Sequence, residues 1–66
     1  MHISVNGEGR EVSAGLSLQQ LMNELQLPHE RVAIELNHNV VRRAAWPVTT
    51  LNDGDRVEIV HFVGGG

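Results

Sequence analysis

The residues best suited to chemistry stand at the end of the chain. Gly64, Gly65 and Gly66 follow the segment Asp53-Gly54-Asp55-Arg56-Val57-Glu58-Ile59-Val60-His61-Phe62-Val63. Glycine has no Cβ and enters backbone regions and narrow channels closed to other residues. Three in succession make a thin wire tipped by an α-carboxylate, which is ionised at neutral pH. A carboxylate is a poor electrophile and reacts only after activation. Adenylation by ATP converts it to a mixed anhydride, which a sulfur nucleophile can displace. On this reading the Gly66 carboxylate is the reactive group, and a partner protein supplies the ATP site and threads the tail into it. The competing reading is a frayed end or an expression remnant without chemistry.

Conventional catalytic sets are absent. There is no cysteine, which excludes a thiol nucleophile, a disulfide and a thiolate metal site. Ser4, Ser13 and Ser17 fall in a strand, a loop and a helix cap. His2, His29, His38 and His61 lack metal-ligand spacing and sit on different elements, so no metal site is expected. The pairs Asp53/Asp55 and Glu8/Glu11 read as turn and surface residues. No glycine-rich loop joins a strand to a helix, so a nucleotide site within the chain is unsupported and no bound cofactor is expected.

The elements that must position the tail are short. A chain of 66 residues is one domain, and at this size folding buries only about 60% of the unfolded surface. Hydrophobic residues make up 41% of it, enough for a single core. The formal net charge is −3, with 8 acidic residues against 5 basic ones, all arginine. No basic stripe is available to neutralise phosphates, which argues against nucleic acid. Arg42-Arg43 is the only basic cluster and reads as a solvated patch. No apolar run is long enough to span a bilayer, and the first residues already read as a strand rather than a signal peptide. A cytoplasmic location is the expectation.

Met1 to Asn6 alternates, with Ile3 and Val5 on one face, and predicts a strand. Asn6-Gly7 predicts a hairpin turn, with Arg10 to Val12 returning as a second strand. Ser17 with Gln20 forms a capping box, and Leu16 with Leu21 a hydrophobic staple. Leu18, Leu21, Met22 and Leu25 make one helical stripe, which Pro28 is expected to end. Val32, Ile34 and Leu36 alternate as a third strand. Asn37-His38-Asn39 is a polar turn, and Val40-Val41 a short return. Arg42 to Asn52 is expected to be irregular and anchored by Trp46-Pro47. In the last strand Val57 and Ile59 face the core, while Glu58, Val60 and Phe62 take the other face. Val60 and Phe62 are then exposed apolar residues beside the tail, and such patches mark contact sites.

One helix and about five strands predict an α+β domain, a mixed sheet packed on one helix. The last strand lies beside the first, in parallel, at the sheet centre, because the connection between them is long enough to cross over. This is the β-grasp (ubiquitin-like) arrangement. It assigns residues 1–63 to the domain and 64–66 to a glycine tail.

The segment Asn52 to Val63 running into terminal glycines resembles the ThiS family, the sulfur carriers of thiamin biosynthesis. Ile34-Glu35-Leu36-Asn37, Val40-Val41 with Arg42 and Arg43, Trp46, and the opening Ile3-Ser4-Val5-Asn6-Gly7 also fit that family, so the resemblance covers the whole chain. It implies a protein co-substrate rather than an enzyme. The Gly66 carboxylate would be adenylated by an E1-like adenylyltransferase, ThiF. Cysteine desulfurase-derived sulfur would convert it to a thiocarboxylate, and thiazole synthase, ThiG, would accept the sulfur. The family's functional diglycine falls on Gly65 and Gly66, with Gly64 lengthening the run, and its partner-docking face falls on Val60 and Phe62. The small subunit of molybdopterin synthase shares this fold and chemistry, although such chains are usually longer. A ubiquitin-like modifier or interaction module shares the fold without the sulfur.

Overall fold

The computed structural model describes residues 1–62; Gly64, Gly65 and Gly66 lie outside the described residues. The elements follow in the order β1 (His2–Val5), β2 (Glu8–Glu11), α1 (Leu18–Leu25), β3 (Val32–Leu36), β4 (Asn39–Val41), a 3₁₀-helix (Arg43–Val48) and β5 (Arg56–His61).

Two tight hairpins build the sheet's outer pairs. Asn6 and Gly7 have φ of 51° and 84°, the left-handed values that both central positions of a two-residue turn require. Val5 pairs directly with Glu8, so β2 begins two residues before the predicted Arg10, and Val12 leaves the strand for the core. The second turn repeats this geometry with Asn37 and His38, at φ 51° and 72°, and Leu36 pairs with Asn39. Asparagine enters this region more readily than most residues.

The helix start follows its residues closely. Gln20 N–H donates to Ser17 Oγ at 3.1 Å, and Ser17 N–H donates to Gln20 Oε1 at 2.9 Å. Leu18, Leu21 and Met22 are buried, with Leu16 buried just ahead of the cap. The helix end differs from expectation. The chain leaves the helix at Gln26, φ 56°, whose N–H donates to the carbonyls of Asn23 and Met22. This left-handed cap satisfies the end carbonyls before Pro28 can constrain its neighbour.

The crossover also differs. Part of the stretch expected to be irregular, Arg43–Val48, is a 3₁₀-helix with Pro47 inside it. Its anchor is the predicted one: Trp46 is 1% exposed, and its indole N–H donates to the Val41 carbonyl at 3.0 Å. Two turns of three residues each carry no 3.6-residue repeat by which a sequence could announce them.

The five strands form one sheet in the order β2-β1-β5-β3-β4. As predicted, β5 lies at the centre, parallel to β1 and antiparallel to β3. Ile3, Val32, Ile34, Val57 and Ile59 join Leu18, Leu21, Met22, Trp46 and Leu51 in a single core. Burying each such side chain contributes about 1.5–3 kcal/mol before the loss of chain entropy. One sheet face is therefore covered and the other open, which completes the α+β, β-grasp design.

Candidate functional site: the open sheet face and the root of the tail

β5 divides its side chains between the two faces. Val57 and Ile59 are 0% and 7% exposed, while Val60 and Phe62 are 48% and 58% exposed. Glu58 stands between Arg56 and Val60 on the open side. Across the ladder to β3, Ala33 faces Val60 and Glu35 faces Glu58. On β4, Val40 opposes Glu35 and is exposed as well. The open face thus carries an apolar patch at the C-terminal end of β5 and an acidic centre.

The root of the tail is pinned. Phe62 N–H donates to the Arg31 carbonyl at 2.8 Å. Arg31 itself is left-handed, φ 59°, a conformation that costs a non-glycine residue about 1 kcal/mol. Further back, two asparagines clamp β5. Asn6 Oδ1 accepts the Ile59 N–H at 2.7 Å. Asn37 Oδ1 accepts the Arg56 N–H at 2.9 Å, Asn37 N–H donates to the Arg56 carbonyl at 2.8 Å, and Asn37 Nδ2 donates to Asp55 Oδ1 at 3.0 Å. At the strand's entry, Asp53 Oδ1 accepts the His2 N–H and Asp55 Oδ2 accepts the Asn52 N–H, both at 2.7 Å. The sequence marks these residues only as turn formers. Their grip on β5 depends on a register that no local pattern encodes.

The remaining candidates fall as follows. The Arg43 guanidinium lies 5.8 Å from the Trp46 ring centroid, so half of the basic pair covers the indole. His29 meets the same ring edge-on at 6.1 Å. His61 is exposed opposite Val32. The histidines do sit on different elements, and one of them, His38, lies near two carboxylates. The β3–β5 register brings Glu35, His38 and Glu58 together, with their ligand atoms within 4.8 Å of one another. Among the described residues no helix is long and apolar enough to cross a membrane.

Chemically, this arrangement can position a bound partner. It offers exposed apolar side chains on a rigid face and fixes the chain's direction at Phe62, two residues before Gly64.

The ThiS family model matches residues 3–66. The chain belongs to the ThiS family. Its fold matches the crystal structure of the thiamine biosynthesis protein ThiS from Geobacter metallireducens, with a TM-score of 0.88, 39% identity and full coverage of both chains. It is 38% identical to the sulfur carrier protein ThiS of Bacillus subtilis over 50 residues, 76% of each chain. It is also 39% identical over all 66 residues to a thiazole synthase of Paramagnetospirillum magneticum, of which it spans only 20%. In that relative a segment similar to this whole ThiS family chain is part of a longer synthase polypeptide.

Proposed function

We propose that this chain is a sulfur carrier of thiamin biosynthesis. The reactive group is the Gly66 carboxylate, with Gly64 and Gly65 as the thin lead-in. An E1-like adenylyltransferase of the ThiF type transfers AMP from ATP to the carboxylate and releases pyrophosphate. A persulfide derived from a cysteine desulfurase displaces the AMP, and cleavage of the S–S bond by a second thiol leaves a thiocarboxylate. A thiazole synthase of the ThiG type then accepts the sulfur. The chain contributes no catalytic side chain and no bound cofactor. Val60 and Phe62 form the docking surface that presents the tail to each enzyme.

The observation that supports this reading best is the thiazole synthase relative, which carries a segment like this chain within its own polypeptide. Two activities joined in one chain gain effective concentration for a shared reaction. The same two activities on separate chains need a docking face, and an exposed apolar pair, Val60 and Phe62, stands at the end of β5 here.

The test is intact-protein mass spectrometry after incubation with ATP, the adenylating enzyme of the same organism and a sulfur source. The expected result is the mass gain of one oxygen exchanged for one sulfur, mapped to Gly66. No gain with a demonstrably active enzyme, or a C-terminus joined to lysines of other proteins, supports a ubiquitin-like modifier instead. Transfer of the sulfur to a pterin acceptor rather than to thiazole synthase supports the molybdopterin branch.

A further inference from the structure

We propose that Glu35, His38 and Glu58 form a binding site for a divalent transition-metal ion, with zinc the best-fitting occupant. The argument starts with the ladder. Glu35 on β3 and Glu58 on β5 are direct cross-strand partners on the open face. Two like charges directly opposed destabilise a sheet. The register therefore holds a carboxylate pair whose repulsion a cation would relieve. His38, the second residue of the β3–β4 turn, adds a nitrogen donor to that pair. Its Nδ1 lies 3.9 Å from Glu58 Oε1.

Distances and donor types both suit a small, borderline-soft ion. The three ligand atoms lie within 4.8 Å of one another. Zinc takes nitrogen and oxygen ligands at about 2.0–2.2 Å, which places tetrahedral ligands about 3.3 Å apart. Side-chain rotation alone spans that difference, since His38 is exposed and both glutamates are partly so. The backbone need not move, because Asn37 fastens the turn to Arg56 and Asp55. Two carboxylates balance the ion's charge, and the imidazole favours zinc over calcium or magnesium, which prefer oxygen alone. Three protein ligands leave the fourth position open.

Binding changes one existing contact. Arg56 Nη1 lies 3.2 Å from His38 Nε2. With Nδ1 on the metal, Nε2 carries the ring proton and can no longer accept, so the Arg56 guanidinium turns away into solvent. Such an exposed contact is worth little. The site lies two residues along β5 from Val60, so an occupied site places a cation on the same face as the apolar pair. The proposal does not depend on the sulfur-carrier reading.

The test is calorimetric titration of the untagged chain with zinc chloride, with amide and imidazole chemical shifts followed in parallel. The variants are His38→Asn, which tolerates the left-handed turn, Glu58→Gln, and His2→Ala as a control for the separate His2–Glu11 pair, 3.0 Å apart. The expected result is one zinc per chain, shifts centred on Glu35, His38 and Glu58, and affinity lowered at least about tenfold in the first two variants but not in the third. Three results overturn the proposal: no uptake at millimolar zinc, unchanged uptake by both His38→Asn and Glu58→Gln, or magnesium competing as well as zinc.

Discussion

The side chain of Asn6 continues the parallel ladder after its own strand has ended. Its backbone N–H donates to the Val57 carbonyl at 2.9 Å, and its Oδ1 accepts the Ile59 N–H at 2.7 Å. The pair of bonds brackets Glu58, as a parallel strand residue would. Here the amide oxygen stands in for a backbone carbonyl that the hairpin has turned aside. Asn6 also holds the positive φ of the turn. Replacing it by alanine leaves a part-buried N–H unpaired and strains the turn, so Asn6→Ala should lose about 1–3 kcal/mol of stability in urea unfolding. Asn6→Asp keeps an acceptor and should lose less. Amide exchange at Ile59 should speed up in the alanine variant; unchanged exchange would show that the bond does not protect the strand.

Phe62→Ala and Val60→Ala should separate binding from folding. Both side chains are about half exposed, and surface substitutions usually change stability by less than about 0.5 kcal/mol. An aromatic anchor in an interface typically carries more than about 1 kcal/mol. Phe62→Ala should therefore weaken binding to the adenylating enzyme at least about fivefold while leaving the unfolding midpoint nearly fixed. A stability loss of about 3–5 kcal/mol, the usual result for a buried phenylalanine, would place Phe62 in the core instead.

Deleting Gly66 should abolish sulfur loading and leave the thermal unfolding transition in place. Among the described residues the buried core runs from Ile3 to Ile59. A large fall in melting temperature, or loading retained by the truncated chain, would remove Gly66 from the proposed role.

The sequence made some of this legible because certain signals are local. Asn6-Gly7 dictates its turn, Ser17 and Gln20 dictate the helix start, and the alternation of β5 separates Ile59 from Val60. Helix α1 ended early because Gln26 adopts a left-handed cap, which glutamine does not advertise. The 3₁₀-helix was invisible for want of a repeat. Glu35, His38 and Glu58 could not be joined by spacing, since their meeting depends on how β3 slides against β5. The two asparagine clamps were hidden for the same reason, as each reaches a strand at least 18 residues away.

Ser17→Ala tests the helix start directly. The hydroxyl accepts from Gln20 N–H, and the reciprocal bond from Gln20 holds Ser17 itself. Loss of such a cap costs about 1 kcal/mol. A shift of that size in the urea midpoint with an unchanged slope is expected, and a change below about 0.3 kcal/mol would mean that water replaces the cap without loss.

The central place of β5 has a consequence for cooperativity. An edge strand can peel from its sheet while the rest survives, and such local opening is cheap. β5 is bonded to β3 from Val57 to His61 and to β1 at Arg56 and Val57, and it alone joins the β1–β2 hairpin to the β3–β4 hairpin. Separating it splits the sheet into two hairpins, and isolated two-stranded hairpins are marginal in water. Full separation of β5 is therefore global unfolding, and the amides at its doubly flanked start, Arg56 and Val57, should exchange only through the slowest, whole-molecule route. An enzyme that grips Val60 on this strand grips the entire domain.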